Sequence, residues 1–238
     1  MTTLKRLARD CRDFADMNVC IADKSFAMHN PNNIKEAYAM IIGPDDTPYE
    51  GGFFFFRVEF TNEYPFKPPS AKSLTQGSGI RFNPNMYTCG KVCLSILGTW
   101  NGPGWSALYN LKKILTSLLG QVLVENPLNN EPGYDTRPKT DPECISYNAI
   151  TAYGTWKHAI VEAMGGKIPV PDTYKPYFQD IINKYVVANS EKYTKRVNSL
   201  LKSNNKKSYS TGYQSQKQTP DYDTVLRDYN SSYTKLPK

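Results

Sequence analysis

In the stretch NPNMYTCGKVCLSILGTWNGPGWSA, which starts at Asn83, two cysteines stand four positions apart, Cys89 and Cys93. Thiols in such a place can be nucleophiles, metal ligands or a redox pair. Zinc is not expected: CxxxC is not among the common ligand spacings, and the two histidines, His29 and His158, lie far away in sequence. Five cysteines in 238 residues are an odd number, which argues against a disulfide framework and for a reducing compartment. A cysteine that attacks an amide needs an activating base, normally a histidine. With no local signature for one, a buried structural thiol is the commoner reading on spacing alone. A cysteine that receives an already activated acyl group has a lighter requirement. A thioester is energetically ready for exchange or aminolysis, so what it needs is a polar group aimed at the oxyanion. Asn85 precedes Cys93 across a Gly-containing turn, and its amide suits that role.

These residues require a frame. Residues 4–15 place Leu4, Leu7, Ala8, Cys11, Phe14 and Ala15 on one apolar stripe at helical spacing, with Lys5, Arg9 and Arg12 together on a flank. AYAMII (37–42) and FFFFRVEF (53–60) predict strands, and the turn-rich GPDDTPYEGG between them makes a hairpin with a long loop. NEYPFKPPS (62–70) holds three prolines and predicts a rigid surface loop. Leu111, Ile114, Leu115, Leu118, Leu119, Val122 and Leu123 predict an amphipathic helix with a buried face, ended by NPLNNEPG (126–133). Ala149, Tyr153, Trp156, Ile160 and Met164 mark another, stopped by Gly165-Gly166. After the linker PVPD (169–172), a helix starts near Tyr174 and continues through Leu201. The remainder is polar and aperiodic and predicts a disordered tail. The plan is α+β, a small antiparallel sheet packed against helices.

The net charge of +7 is unevenly spread. From Ser190 to Lys238 ten Lys/Arg oppose four Asp/Glu, a net of +6, so the rest of the chain is nearly neutral. A basic tail can meet nucleic acid, acidic lipid or acidic protein. A solvated tail is the plainer reading, and nucleic acid is not an expected partner. No apolar run approaches the ~18 residues of a membrane span, and the start MTTLKRLARDCRDF is charged rather than signal-like. A soluble chain in the cytoplasm and/or nucleus is the expectation.

Five motifs, in this order, resemble the signature of the ubiquitin-conjugating enzymes: GPDDTPYEGG, YPFKPP, NPNMYTCGKVCLSIL, W…WSALYNLKKILTSL and NP…NEP. The likeness runs from about the first helix to about Met164. The loop GTWNGPGWSA is similar to that of the family's large-hybrid branch, whose members carry GTWxGPxWSP and NPxxNEP. The resemblance implies the UBC fold: an N-terminal helix, a four-stranded antiparallel meander, a central helix and C-terminal helices. The chain then divides into a catalytic core over 1–165, a helical C-terminal extension over 166–202 and a basic, disordered tail over 203–238.

The resemblance also implies the reaction. Cys93 would accept ubiquitin as a thioester from an ATP-using activating enzyme and pass it to a substrate lysine or to a ligase cysteine, with no cofactor or metal of its own. Asn85, the last residue of the family's His-Pro-Asn motif, would stabilise the oxyanion and hold its loop. Asn83 stands where the family usually has His, a departure that bears on loop rigidity. Asn129 matches a position near the acceptor lysine that is often Asp or Ser. Its amide cannot act as a general base, which leaves positioning and desolvation to it, with Glu131 the weaker proton acceptor. Phe66, Ala107 and Leu108 match the loops that dock ligases, and Lys5, Arg9 and Arg12 become a dock for the activating enzyme. Trp105 reads as core, Trp100 as part of a lip beside the thioester, and Cys89 as a solvent-facing bystander, with an oxidative bridge to Cys93 the lesser alternative. Two other readings stay open. One is a catalytically silent family member acting as a binding module; the other is a conjugating enzyme for another ubiquitin-like modifier.

Overall fold

The protein is described here by a computed structural model over residues 2–237, the side chain of Gln214 apart. It opens with α1 (Thr3–Asp10), which tightens into a 3-10 turn over Cys11–Phe14, and the short α2 (Met17–Ala22). The expected apolar stripe is narrower than its spacing suggests. Leu7 and Phe14 reach the core, whereas Leu4 and Ala8 are exposed. The change of pitch after Asp10 rotates the face presented to the core. It also buries Asp10, which pairs with Arg6 at 2.8 Å and accepts from the Tyr64 hydroxyl at 2.5 Å.

Four strands follow: β1 (Ser25–Asn30), β2 (Asn33–Ile42), β3 (Phe53–Glu59) and β4 (Ser70–Ser73). They form one antiparallel meander in chain order. The hairpin read from sequence is β2–β3, in register from Glu36 opposite Glu59 to Ile42 opposite Phe53. The run Phe53–Phe56 is at most 1% exposed throughout. Successive strand residues point to opposite faces, so four buried phenylalanines require both faces to be covered. On one face Phe54 meets Tyr49 and Phe82 edge-on, at 5.5 and 5.6 Å between ring centres. On the other, Phe53 and Phe55 meet Tyr185 and Phe178 at 6.1 and 5.4 Å.

The central helix α3 (Leu111–Ser117) widens into a π turn over Leu118–Val122, and its expected apolar face is buried, Leu119 excepted. Next come α4 (Pro142–Gly154), a second wide turn over Thr155–Val161 and the short α5 (Glu162–Met164). Gly166, at φ +84°, ends this run as the Gly-Gly pair predicts. The extension is not one helix through Leu201 but two, α6 (Lys175–Ala188) and α7 (Ser190–Asn204). The break is at Asn189, whose side chain donates to Tyr185 O at 2.8 Å. The bend lets α6 cover the sheet while Tyr193 of α7 packs on Trp156, 5.9 Å between ring centres.

The expectation of a disordered tail over 203–238 is corrected by the fold. Residues 205–236 form a small hairpin of β5 (Tyr209–Ser210) and β6 (Lys217–Gln218) and a helix, α8 (Tyr222–Tyr233). Tyr222, Val225 and Tyr229 recur at helical spacing and are buried by 96% or more. The composition is polar, yet tyrosine supplies a large buried area while reading as a polar residue. The Tyr222 hydroxyl is buried without a hydrogen-bond partner. Tyr222→Phe is therefore expected to be neutral or mildly stabilising in urea unfolding, and Tyr222→Ala to cost about 3 kcal/mol. Equal losses in the two variants would contradict this packing.

Candidate active site

The segment after Ile80 is irregular, and side-chain hydrogen bonds give it shape. Tyr49 of the β2–β3 loop donates to Phe82 O at 2.6 Å. Asn83, fully buried, donates through Nδ2 to Val122 O at 2.8 Å, at the end of the central helix. Its Oδ1 accepts from the Asn85 N–H at 2.7 Å and from Asn130 Nδ2 at 3.3 Å. One amide thus joins the Cys-bearing segment, the central helix and the 126–133 loop. The departure from histidine at this position leaves a connected scaffold. Asn83→Ala leaves Val122 O and the Asn85 N–H without partners, and is expected to lower stability by about 2 kcal/mol in chemical unfolding. A loss below about 0.5 kcal/mol would show that the amide is dispensable.

Asn85 and Cys93 hold each other. The Cys93 N–H donates to Asn85 O at 2.8 Å, and Asn85 Nδ2 donates to Cys93 O at 2.8 Å. Between them the chain turns at Gly90, φ +89°, where an added Cβ would lie 2.9 Å from Ser73 O. Beyond Cys93, Thr99 Oγ1 accepts from the Leu94 N–H and donates to Val92 O, closing the next turn. Cys93 is 2% exposed, while its neighbours Leu94 and Ser95 line an open cleft of about 490 Å³ with Asn85, Trp100, Asn129 and Asp135. Cys89 is exposed and lines a different groove, beside Pro68, Pro69 and Lys72. The two thiols therefore sit in different environments. An amide nitrogen carries two hydrogens, so Asn85 can hold the Cys93 carbonyl with one and aim the other at an acyl oxygen on sulfur.

Asn129 lies in the cleft wall, its amide engaged within its own loop. Nδ2 donates to Asp135 O and Arg137 O, each at 3.1 Å, and Oδ1 accepts from Asn126 at 2.5 Å. That arrangement shapes the loop. Glu131 accepts from the Tyr213 hydroxyl at 2.9 Å. Sequence reasoning missed Asp135, the carboxylate that does line the cleft, because nothing in its spacing marks it. Neither histidine serves the site: His29 Nδ1 bonds to Ile34 O at 2.9 Å, and His158 Nε2 to Ser78 Oγ at 2.9 Å.

The expected docking residues fall into two groups. Phe66 and Leu108 are 76% and 87% exposed, and Ala107 is half-buried. Their loops are tied together by Trp105, which is half-buried and donates through Nε1 to Pro65 O at 2.6 Å. Arg6 braces the same loop, donating to Ala107 O and Tyr109 O at 2.8 Å each. This Arg6–Asp10 brace was not legible in sequence, because a charged pair on a helix reads as solvated. Lys5, Arg9 and Arg12 are all exposed on the first helix and its 3-10 turn.

Comparison with known proteins adds an independent line. The family model described as ubiquitin-conjugating enzyme matches residues 6–141. The ubiquitin-conjugating enzyme E2 Z of Xenopus tropicalis is 40% identical over 161 residues, covering 67% of this chain and 51% of that protein. The Homo sapiens E2 Z is 38% identical over 161 residues, covering 67% and 45%. The chain thus spans about half the length of these curated relatives. A solved E2 domain of a Toxoplasma gondii ubiquitin conjugating enzyme superposes with a TM-score of 0.51 at 23% identity, covering 66% of this chain and 98% of that one. That last likeness bears on fold, and the fold is the same.

Proposed function

The chain belongs to the ubiquitin-conjugating enzyme family, and from that membership we propose that Cys93 carries ubiquitin as a thioester and hands it on. Cys93 Sγ attacks the carbonyl carbon of ubiquitin held on the activating enzyme, a new C–S bond forms, and the activating enzyme's thiol leaves. A substrate amine, or a ligase thiol, then attacks the same carbon and Cys93 leaves as thiol. The observation that carries this reading is the reciprocal pair of 2.8 Å hydrogen bonds between Asn85 and Cys93 at the edge of an open cleft. It leaves the second Asn85 hydrogen available for the oxyanion of each tetrahedral intermediate.

The low exposure of Cys93 beside an open cleft suits a narrow acyl donor such as an extended peptide C-terminus. Asn129 shapes the cleft, and Asp135 supplies a carboxylate toward which an amine can be drawn. Phe66, Ala107 and Leu108 present an apolar lip for a ligase. Lys5, Arg9 and Arg12 offer a basic face to the activating enzyme. The test is to incubate the protein with activating enzyme, ATP and ubiquitin, or a ubiquitin-like modifier, and look for an adduct that thiols release. Charging by none of these would leave the silent binding module as the better reading.

A further inference from the structure

Residues 209–218 return across the core beside the cleft. Tyr209 pairs with Gln218 and Ser210 with Lys217. At the tip, the Thr211 N–H donates to Gln216 O at 2.9 Å and its hydroxyl to Tyr213 O at 2.7 Å, so the hairpin is a closed unit. Four hydrogen bonds fasten it to the core, one of them from Gln218 Nε2 to Ser78 O at 3.1 Å. The Gly212 N–H donates to Glu143 Oε1 at 2.7 Å, at the start of α4. Gln216 Oε1 accepts from the Arg81 N–H at 3.0 Å. The Tyr213 hydroxyl donates to Glu131 Oε2 at 2.9 Å. The Tyr213 ring lies against Tyr134 and Tyr147, 5.9 and 6.0 Å between ring centres, with the Arg81 guanidinium 5.4 Å from its own centre. Tyr213 thereby joins Leu128, Cys144 and Tyr147 in a small apolar cluster outside the main core.

Two of these attachments fall on segments that lead into the two walls of the cleft. Arg81 leads into the segment of Asn83 and Asn85, of which Asn85 lines one wall. Glu131 and Tyr134 belong to the loop whose Asn129, Gly133 and Asp135 build the other. Asn130 Nδ2 donates to Gln121 O of the central helix at 2.8 Å and to Asn83 Oδ1 only at 3.3 Å, so the tie between this loop and the Asn85 segment is the longer one. A phenol donating to a carboxylate is a charge-assisted bond, about twice as strong as a neutral one. Burial keeps the Tyr213 phenol protonated well above its ordinary range, so it stays a donor.

We propose that Tyr213 is a positioning residue: through Glu131 and Tyr134 it sets loop 126–137 against Asn85, so that a lysine amine reaches the carbonyl carbon of the Cys93 thioester. This rests on the thioester reading above. In the step concerned, the amine nitrogen attacks the thioester carbonyl, the C–N bond forms, the C–S bond breaks, and the amine's surplus proton passes to water. A bulky amine on a flexible chain needs a placed wall to reach the carbon. Hydroxylamine, small and strongly nucleophilic, cleaves thioesters without such placement.

Tyr213→Phe keeps the ring and its packing and removes the hydroxyl alone. The variant and the parent would be charged with ubiquitin, then chased separately with lysine and with hydroxylamine. Thioester formation and hydroxylamine release should match the parent, while lysine discharge falls about tenfold. Amide exchange over 126–137 should speed up in the same variant. Tyr213→Ala, which also uncovers Arg81, should deepen both effects. Lysine discharge at the parental rate overturns the proposal, whatever the exchange shows. Equal slowing of lysine and hydroxylamine release also overturns it, since that pattern reports general damage. If the parent takes up no modifier, the thioester reading fails instead. The exchange comparison then still judges the strap, and unchanged protection of 126–137 in Tyr213→Phe removes it.

Discussion

Cys93→Ser should convert a thiol-labile ubiquitin adduct into one that survives reducing agent, and Cys93→Ala should give no adduct at all. The reasoning is chemical. Serine at the same position can be acylated by the activated donor, but the resulting oxygen ester has a far poorer leaving group, so it accumulates and turnover stops. The geometry favours retention of the serine adduct, because both hydrogen bonds that hold residue 93 to Asn85 use its backbone N–H and C=O. Nothing in that pair depends on sulfur. The neighbouring Cys89→Ser is the internal control. Cys89 is exposed, in a groove away from the cleft, and its replacement should leave charging as it was. Loss of the adduct in Cys89→Ser with retention in Cys93→Ala would exchange the roles of the two thiols.

Asn85→Ala is the second large effect, expected in the rate of discharge. Removing one donor from an oxyanion site typically costs about 10²–10³ in rate, or about 2.7–4 kcal/mol. The duty the structure shows is the hold of the same amide on Cys93 O at 2.8 Å, and the proposed oxyanion role would be a second. The duties separate experimentally. Loss of the loop contact alone would loosen Cys93 and reduce charging and discharge together. Loss of the oxyanion donor weighs on aminolysis, where the substrate amine is the weaker nucleophile at neutral pH. Retained charging with slow lysine discharge is the outcome expected. Discharge within about twofold of the parent would confine Asn85 to holding the loop.

Much of the scaffold was legible because its signals are local. The buried run Phe53–Phe56, the periodic Leu111–Leu123 and the stop at Gly165-Gly166 each announce an element within one window of sequence. What was missed or misread has particular causes. Asp10 and Arg6 carry no signal in sequence, because their role appears only when the loop carrying Ala107 folds down onto them. The tail looks unstructured because its apolar surface is carried by tyrosines, whose helical spacing at Tyr222, Val225 and Tyr229 is easily passed over among polar neighbours.

What the amino-acid sequence determined by itself is the chemistry at hand: a thiol at Cys93, an amide at Asn85, the turn between them and the strands that frame both. Those relations span a few residues, and residue type and spacing encode them directly. What only the tertiary structure decided is which distant parts brace the loops around the site. Tyr213 reaches Glu131 across 82 positions of chain, and Arg6 reaches Tyr109 across 103. Contacts of that kind leave no periodic trace, because they arise from how packed layers bring surfaces together after each element has formed.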